Sequence, residues 1–191
     1  MKIPLGIEIY SEIISDDFYN FLLTKYNGIS DKRRKFQNHN FFNGGDYTFL
    51  ETESETSYYQ QNILYHVNQY IGKTNYRIDD QWINVQAHND FVPLHEHYGK
   101  ISYVIYLKIP GYLQELYSSY NPHNHKGLSC VEGCIDFHYG IKNSLFPASK
   151  KIMPKEKQIL MFPSEILHYV YPFSNPEETR VSVSGNLTEE N

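Results

Sequence analysis

With 191 residues, 40% of them hydrophobic and 16% aromatic, the chain carries enough apolar material for one packed domain and too much for a disordered segment. A formal net charge of −5 and a single short basic cluster, Lys32-Arg33-Arg34-Lys35, exclude the electrostatic footprint of a general nucleic-acid binder. No apolar run approaches the roughly 18 residues of a membrane span, and nothing after Met1 has the layout of a secretory leader, so the expectation is a cytoplasmic protein with reduced thiols at Cys130 and Cys134.

Ile3 to Tyr10 alternates weakly, as a short edge strand does. Ser15 then stands where a helix N-cap belongs, and Asp16 and Asp17 suit the positive end of the dipole. Phe18, Phe21, Leu22 and Tyr26 recur at helical intervals until Asn27-Gly28 stops the run. Residues 31–48, with Asn43-Gly44-Gly45-Asp46, read as a long loop containing a turn or hairpin. Thr52-x-x-Glu55 has the form of a capping box and opens a second helix, marked by Tyr58, Ile63, Val67 and Tyr70-Ile71 and ended by Gly72; this helix should pack on a sheet.

After Asn75 the pattern changes to β: Tyr76 to Ile78, Gln81 to Ala87, then 101–109, 134–139, 158–162, 166–171 and 180–187. These strands follow one another through turns with no helix between them, which argues against a parallel α/β sheet and for an antiparallel sandwich or barrel covered by the two N-terminal helices. The whole chain, 1–191, is expected to form a single domain with a helical portion at 1–75 and a β core at 76–187. Cys130 and Cys134 lack the second pair that a zinc knob needs and are expected to be partly buried.

The candidate chemistry centres on Asp90 to Pro110. His95 and His97 are two residues apart, so in extended backbone both imidazoles project from one face. A distant third, His168, follows an apolar strand and precedes Arg180. A close pair plus one distant histidine is how β-rich folds build a three-ligand metal face with open positions left for reactants. The other histidines, His39, His66, His88, His123, His125 and His138, read as surface or structural residues. Residues 111–133 form a long polar and aromatic insertion of the kind that carries substrate contacts or a lid.

Trp82-x-Asn84, His95-x-His97, Ser102-Tyr103-x-x-Tyr106-Leu107 leading to Pro110, Met161-Phe162-Pro163-Ser164 with His168, and Arg180-x-Ser182-x-Ser184-x-Asn186 occur in that order. The series, over residues 76–187, resembles the Fe(II)/2-oxoglutarate oxygenases of the phage-type, prolyl-hydroxylase-like group. The resemblance implies a mainly β double-stranded β-helix, or jelly roll, with the N-terminal helices packed on one sheet. It implies a dioxygenase using Fe(II), 2-oxoglutarate and O2, hydroxylating a peptide, amino acid or other small substrate with release of succinate and CO2. The implied catalytic set is His95, His97 and His168 as metal ligands and Arg180, whose fork suits the distal carboxylate of the oxo acid. Ser182, Tyr103, Asn84 and Tyr106 are the further candidates for binding it. No nucleic-acid or membrane partner is expected, and a homodimer is left open.

The commonest face in the wider superfamily is His-x-Asp/Glu with a distant His, whereas His97 fills the middle position here, as is common in the phage-type group. Asp90 is the alternative carboxylate ligand, and Glu96 should point away. A cupin-type metalloenzyme also uses His-x-His, although Ile101-Ser102 stand where its motif expects a glutamate; a non-catalytic jelly-roll binding module is the third reading. The bland alternative for Arg180 is a strand-edge ion pair with Glu177 or Glu178.

Overall fold

A computed structural model describes residues 8–29, 49–119, 132–139 and 149–190. The Lys32–Lys35 cluster, the 43–46 turn, His39, His123, His125 and Cys130 lie outside the described residues.

Strand β1 (Tyr10–Ile13) leads into helix α1 (Asp16–Gly28), where the Phe18 N–H donates to Ser15 Oγ at 3.3 Å and Asp16 and Asp17 occupy the first turn. Helix α2 (Glu53–Ile71) starts at Thr52, whose hydroxyl accepts from the Glu55 N–H at 3.2 Å. Glu55 reaches back one residue further than in the usual box, taking the Glu51 N–H at 2.8 Å. Gly72 ends α2 at φ 70°, a left-handed conformation that suits glycine.

The β elements are β2 (Tyr76–Gln86), β3 (Val92–His95), β4 (Ile101–Lys108), β5 (Ile135–His138), β6 (Ser149–Ile152), β7 (Gln158–Pro163), β8 (Leu167–Val170) and β9 (Arg180–Glu189), with α3 (Gly111–Ser119) between β4 and β5. A five-stranded sheet of order β1-β7-β4-β9-β2 faces a four-stranded sheet of order β3-β8-β5-β6, and the neighbours are antiparallel.

Two cores divide the molecule. Helices α1 and α2 lay Phe18, Leu22, Tyr59 and Ile63 on the outer face of the larger sheet, against Ile83, Ile105, Ile159 and Val183. Val104, Tyr106, Leu160 and Phe162 pack with Ile135 and Phe137 between the two sheets. Strand β4 is therefore buried on both faces.

Several elements differ from the sequence expectation. The first strand begins at Tyr10, where the expectation had it end, and it pairs with β7. Strand β2 runs unbroken from Tyr76 to Gln86, with a bulge between Ile78 and Asp80 that replaces the expected interruption. The start of the 111–133 insertion is helical, as α3. Among the described residues no helix is long and apolar enough to cross a membrane.

Candidate functional site

Strand β3 is an edge of the smaller sheet, and its register sets His95 directly opposite His168 on β8. Opposed residues of an antiparallel pair share a face, so both imidazoles come to one side. His97 lies just beyond the strand, held by its backbone N–H donating to Ser164 O at 2.9 Å. The three rings converge, with centroids 4.3 Å apart for His95 and His168, 4.8 Å for His95 and His97, and 5.1 Å for His97 and His168. Their candidate ligand atoms all lie within 4.8 Å of one another.

Two backbone carbonyls fix the tautomers. His95 Nδ1 is 2.7 Å from Pro93 O, and His168 Nδ1 is 2.9 Å from Ile166 O. A carbonyl only accepts, so each Nδ1 bears the proton and each Nε2 is left with its lone pair, the arrangement that orients a metal-binding histidine. His168 is buried among Phe137 and Phe162, at centroid distances of 5.7 and 4.9 Å, while Trp82 lies 5.9 Å from His97. Burial, reinforced by His95, pushes His97 down to about 4. Burial again, with His95 and then His97 adding to it against the Ile166 hydrogen bond, takes His168 down to about 3. Both are neutral near pH 7, and three clustered imidazoles are a donor set that fits a divalent transition metal such as iron.

The alternatives to this trio are otherwise engaged. Among the described residues these three histidines are the one group of His, Cys, Asp or Glu with the spacing for a metal ion. Asp90 Oδ2 accepts the Ala87 N–H at 2.8 Å and closes a turn, and Glu96 is exposed. Ser102, near where a cupin would carry its glutamate, is buried in a network with its Oγ 2.9 Å from Ser164 Oγ and 2.8 Å from Asn186 Oδ1. This network supports the segment whose Ser164 carbonyl holds His97.

Strand β9 alternates. Val181, Val183 and Leu187 face the helices, so Arg180, Ser182, Ser184 and Asn186 face the space between the sheets. Arg180 is 5% exposed. Its Nη2 donates to Gln86 Oε1, on the residue opposite it in β2, and its Nη1 donates to Gly133 O at 2.5 Å. Both partners are neutral, and no carboxylate among the described residues pairs with the guanidinium. The alternative, a strand-edge ion pair with Glu177 or Glu178, is not formed, and the Glu178 carboxylate instead takes the Gly111 N–H at 2.7 Å and Asn175 Nδ2 at 2.9 Å. Burial lowers the pKa of Arg180, with Tyr106 and Tyr117 opposing the shift.

Three more candidates share this inward face. Ser182 is opposite both Asn84 on β2 and Tyr106 on β4, and Asn84 Nδ2 donates to Ser184 Oγ at 3.3 Å. Burial raises the Tyr106 hydroxyl to about 12, partly offset by Arg180. Tyr103 does not join them. It shares the helix-side face of β4 with Ile101 and Ile105, and its hydroxyl is 2.7 Å from that of Tyr59 on α2. The sheet lies between Tyr103 and the other candidates, which removes it from the oxo-acid set. Gln86 had no role in the sequence expectation; its signal was its place in the Trp82, Asn84, Gln86 alternation.

Residues 80–186 match a family model described as "Putative 2OG-Fe(II) oxygenase". The chain belongs to this oxygenase family. It is accordingly an oxidoreductase that works with Fe(II), 2-oxoglutarate and O2. Among solved structures the oxygenase is similar to a Pseudomonas putida prolyl-4-hydroxylase, at 16% identity over 97% of this chain and 90% of that one, with a TM-score of 0.52. It is also similar to HygX from Streptomyces hygroscopicus with nickel and 2-oxoglutarate bound, at 7% identity over 96% of this chain and 82% of that one, with a TM-score of 0.58. These likenesses bear on the fold, which is the expected double-stranded β-helix. Against a Burkholderia pseudomallei oxidoreductase of the 2OG-Fe(II) oxygenase family the match covers 73% of this chain and 58% of the other, at 14% identity and a TM-score of 0.49. Among curated proteins none matches in sequence.

Proposed function

We propose that this oxygenase is a 2-oxoglutarate-dependent iron hydroxylase in which His95, His97 and His168 hold the metal and Arg180 anchors the oxo acid. The observation that carries this reading is a buried guanidinium without a carboxylate partner among the described residues, facing the same inter-sheet space as three clustered imidazoles. Bound Fe(II) supplies the coupling of oxo-acid decarboxylation, to succinate and CO2, with oxidation of a substrate C–H bond by O2. The chain's own residues do the rest. The imidazoles hold a single face and leave the other side of the metal open. Arg180 grips the distal carboxylate with its remaining N–H groups, Ser182 adds a hydroxyl, and Asn84 and Tyr106 line the approach. Phe137 and Phe162 keep water from the buried side of His168.

The primary substrate class is a peptide, an amino acid or another small polar molecule. One similar solved protein is by name a prolyl-4-hydroxylase, and HygX was also crystallised with hygromycin B bound, so a prolyl group and a small polar molecule both have parallels on this fold. A cupin-type centre is disfavoured by the hydrogen-bonded Ser102.

The test is conversion of 2-oxoglutarate to succinate by the purified protein with added Fe(II), together with its metal content. The wild-type protein is expected to bind one iron and turn over. His95→Ala/His168→Ala is expected to retain none. Stoichiometric iron in that double variant would end the assignment.

A further inference from the structure

We propose that Gln86 is a positioning residue that aims the Arg180 guanidinium and keeps it uncompensated, fitting the site to a dicarboxylate oxo acid over a monocarboxylate one. The proposal rests on the role given to Arg180 above. Gln86 is 5% exposed and ends β2 directly opposite Arg180. Its Oε1 accepts from Arg180 Nη2, and its Nε2 donates to Asp90 O at 2.5 Å, so the orientation of the amide is set from both ends. The receiving turn is itself closed twice, by Asp90 N–H to Ala87 O at 3.2 Å and Ala87 N–H to Asp90 Oδ2 at 2.8 Å.

The second carbonyl on Arg180 is equally fixed. Gly133 sits at φ 67°, where a Cβ would lie 2.6 Å from Leu113 Cδ1 and 2.8 Å from the Tyr117 hydroxyl. Its N–H donates to Pro172 O at 3.0 Å. Two of the five guanidinium N–H groups are thus spent on two immobile, neutral oxygens, and three are left to face an anion.

Neutrality is the point of a glutamine here. A glutamate would accept the same hydrogen bond but pair with the guanidinium, and an arriving carboxylate would have to compete with it. An apolar side chain would leave the charge intact and the fork unaimed.

The experiment uses the full chain, loaded with Fe(II) and kept anaerobic, titrated with 2-oxoglutarate and separately with pyruvate through the metal-to-ligand charge-transfer absorbance. Gln86→Glu is expected to weaken 2-oxoglutarate by about tenfold or more, with pyruvate affinity and iron content unchanged, and to have no further effect in an Arg180→Ala background. Gln86→Leu, which preserves the charge, is expected to give a smaller loss that is again confined to 2-oxoglutarate. Wild-type titration by both Gln86 variants would overturn the proposal, as would equal loss of both acids or an undiminished effect in the Arg180→Ala background. If Arg180→Ala itself titrates like wild type, the anchoring role of Arg180 fails, and the proposal falls with it by a separate observation.

Discussion

Replacing Arg180 with alanine removes one half of the proposed site and should leave the other intact, because Arg180 lies on the larger sheet and His95 and His168 on the smaller. A charge-assisted hydrogen bond contributes about 1.5–3 kcal/mol, so a two-pronged grip on a carboxylate is worth roughly 3–6 kcal/mol before the cost of drying the anion. With that cost subtracted, about 3 kcal/mol remains, on the order of a hundredfold in the dissociation constant. Lysine would keep the charge and lose the fork, with an expected loss of about tenfold. Removing Arg180 also leaves Gly133 O and Gln86 Oε1 without their donor, so a modest fall in stability accompanies the affinity loss. The assay is anaerobic titration of the Fe(II) protein with 2-oxoglutarate, with metal content measured in parallel. An alanine variant that binds 2-oxoglutarate like wild type, or one that loses iron as fast as it loses the oxo acid, would refute the reasoning.

His97→Asp is expected to keep iron and restore the commoner carboxylate face, while His97→Ala should lower affinity by tenfold or more; equal metal content and activity in both would place His97 outside the coordination sphere. In Gly185→Ala the new Cβ would meet the Tyr103 hydroxyl and come within 2.5 Å of Asp80 O, a backbone atom with little freedom to retreat. Overpacking of this kind costs about 1–3 kcal/mol, or roughly 2–10 °C in Tm for a chain of this size, and calorimetry showing no shift would contradict the packing described.

Local signals carried much of the fold. The Ser15 and Thr52 caps, the Gly72 stop, the apolar runs of β4 and β7 and the alternation of β9 each follow from chemistry within a few residues, and each is present. Strand β3 was not legible because it is four residues long, contains Pro93 and has exposed positions, so no alternation could develop. Strand β6, Ser149–Ile152, places two lysines in a short partly exposed segment and gives no better signal. Helix α3 has only four strong helix formers, Leu113 to Leu116, between Gly111-Tyr112 and Tyr117-Ser118-Ser119, too short a run to announce itself, and it is tied down by the Tyr117 hydroxyl donating to Glu132 O at 2.7 Å.

The same limit explains Tyr103. A strand buried on both faces has no polar side to mark which way its residues point, so although alternation puts Tyr103 and Tyr106 on opposite faces, which of them turns inward is decided only by the helix layer. Strand β9 was easier, since Arg180, Ser182, Ser184 and Asn186 alternate with apolar residues and announce their shared face. The partners of Arg180 are long-range in sequence, with separations of 47 and 94 residues, and no local pattern could have supplied them.

The short edge strand that carries His95 has one further consequence. With register contacts recorded only at Val92 and His95, β3 is tied to its neighbour by little more than the two ends of the pairing. An ion shared by His95, His97 and His168 would then bind the folded chain alone and tie β3 to β8 through its ligands, since the unfolded ensemble does not gather the three side chains. Thermal stability of the whole domain should therefore rise with the free concentration of metal, and amide exchange along β3 should slow more than exchange in β9. Starvation for iron would then loosen the strand that binds it.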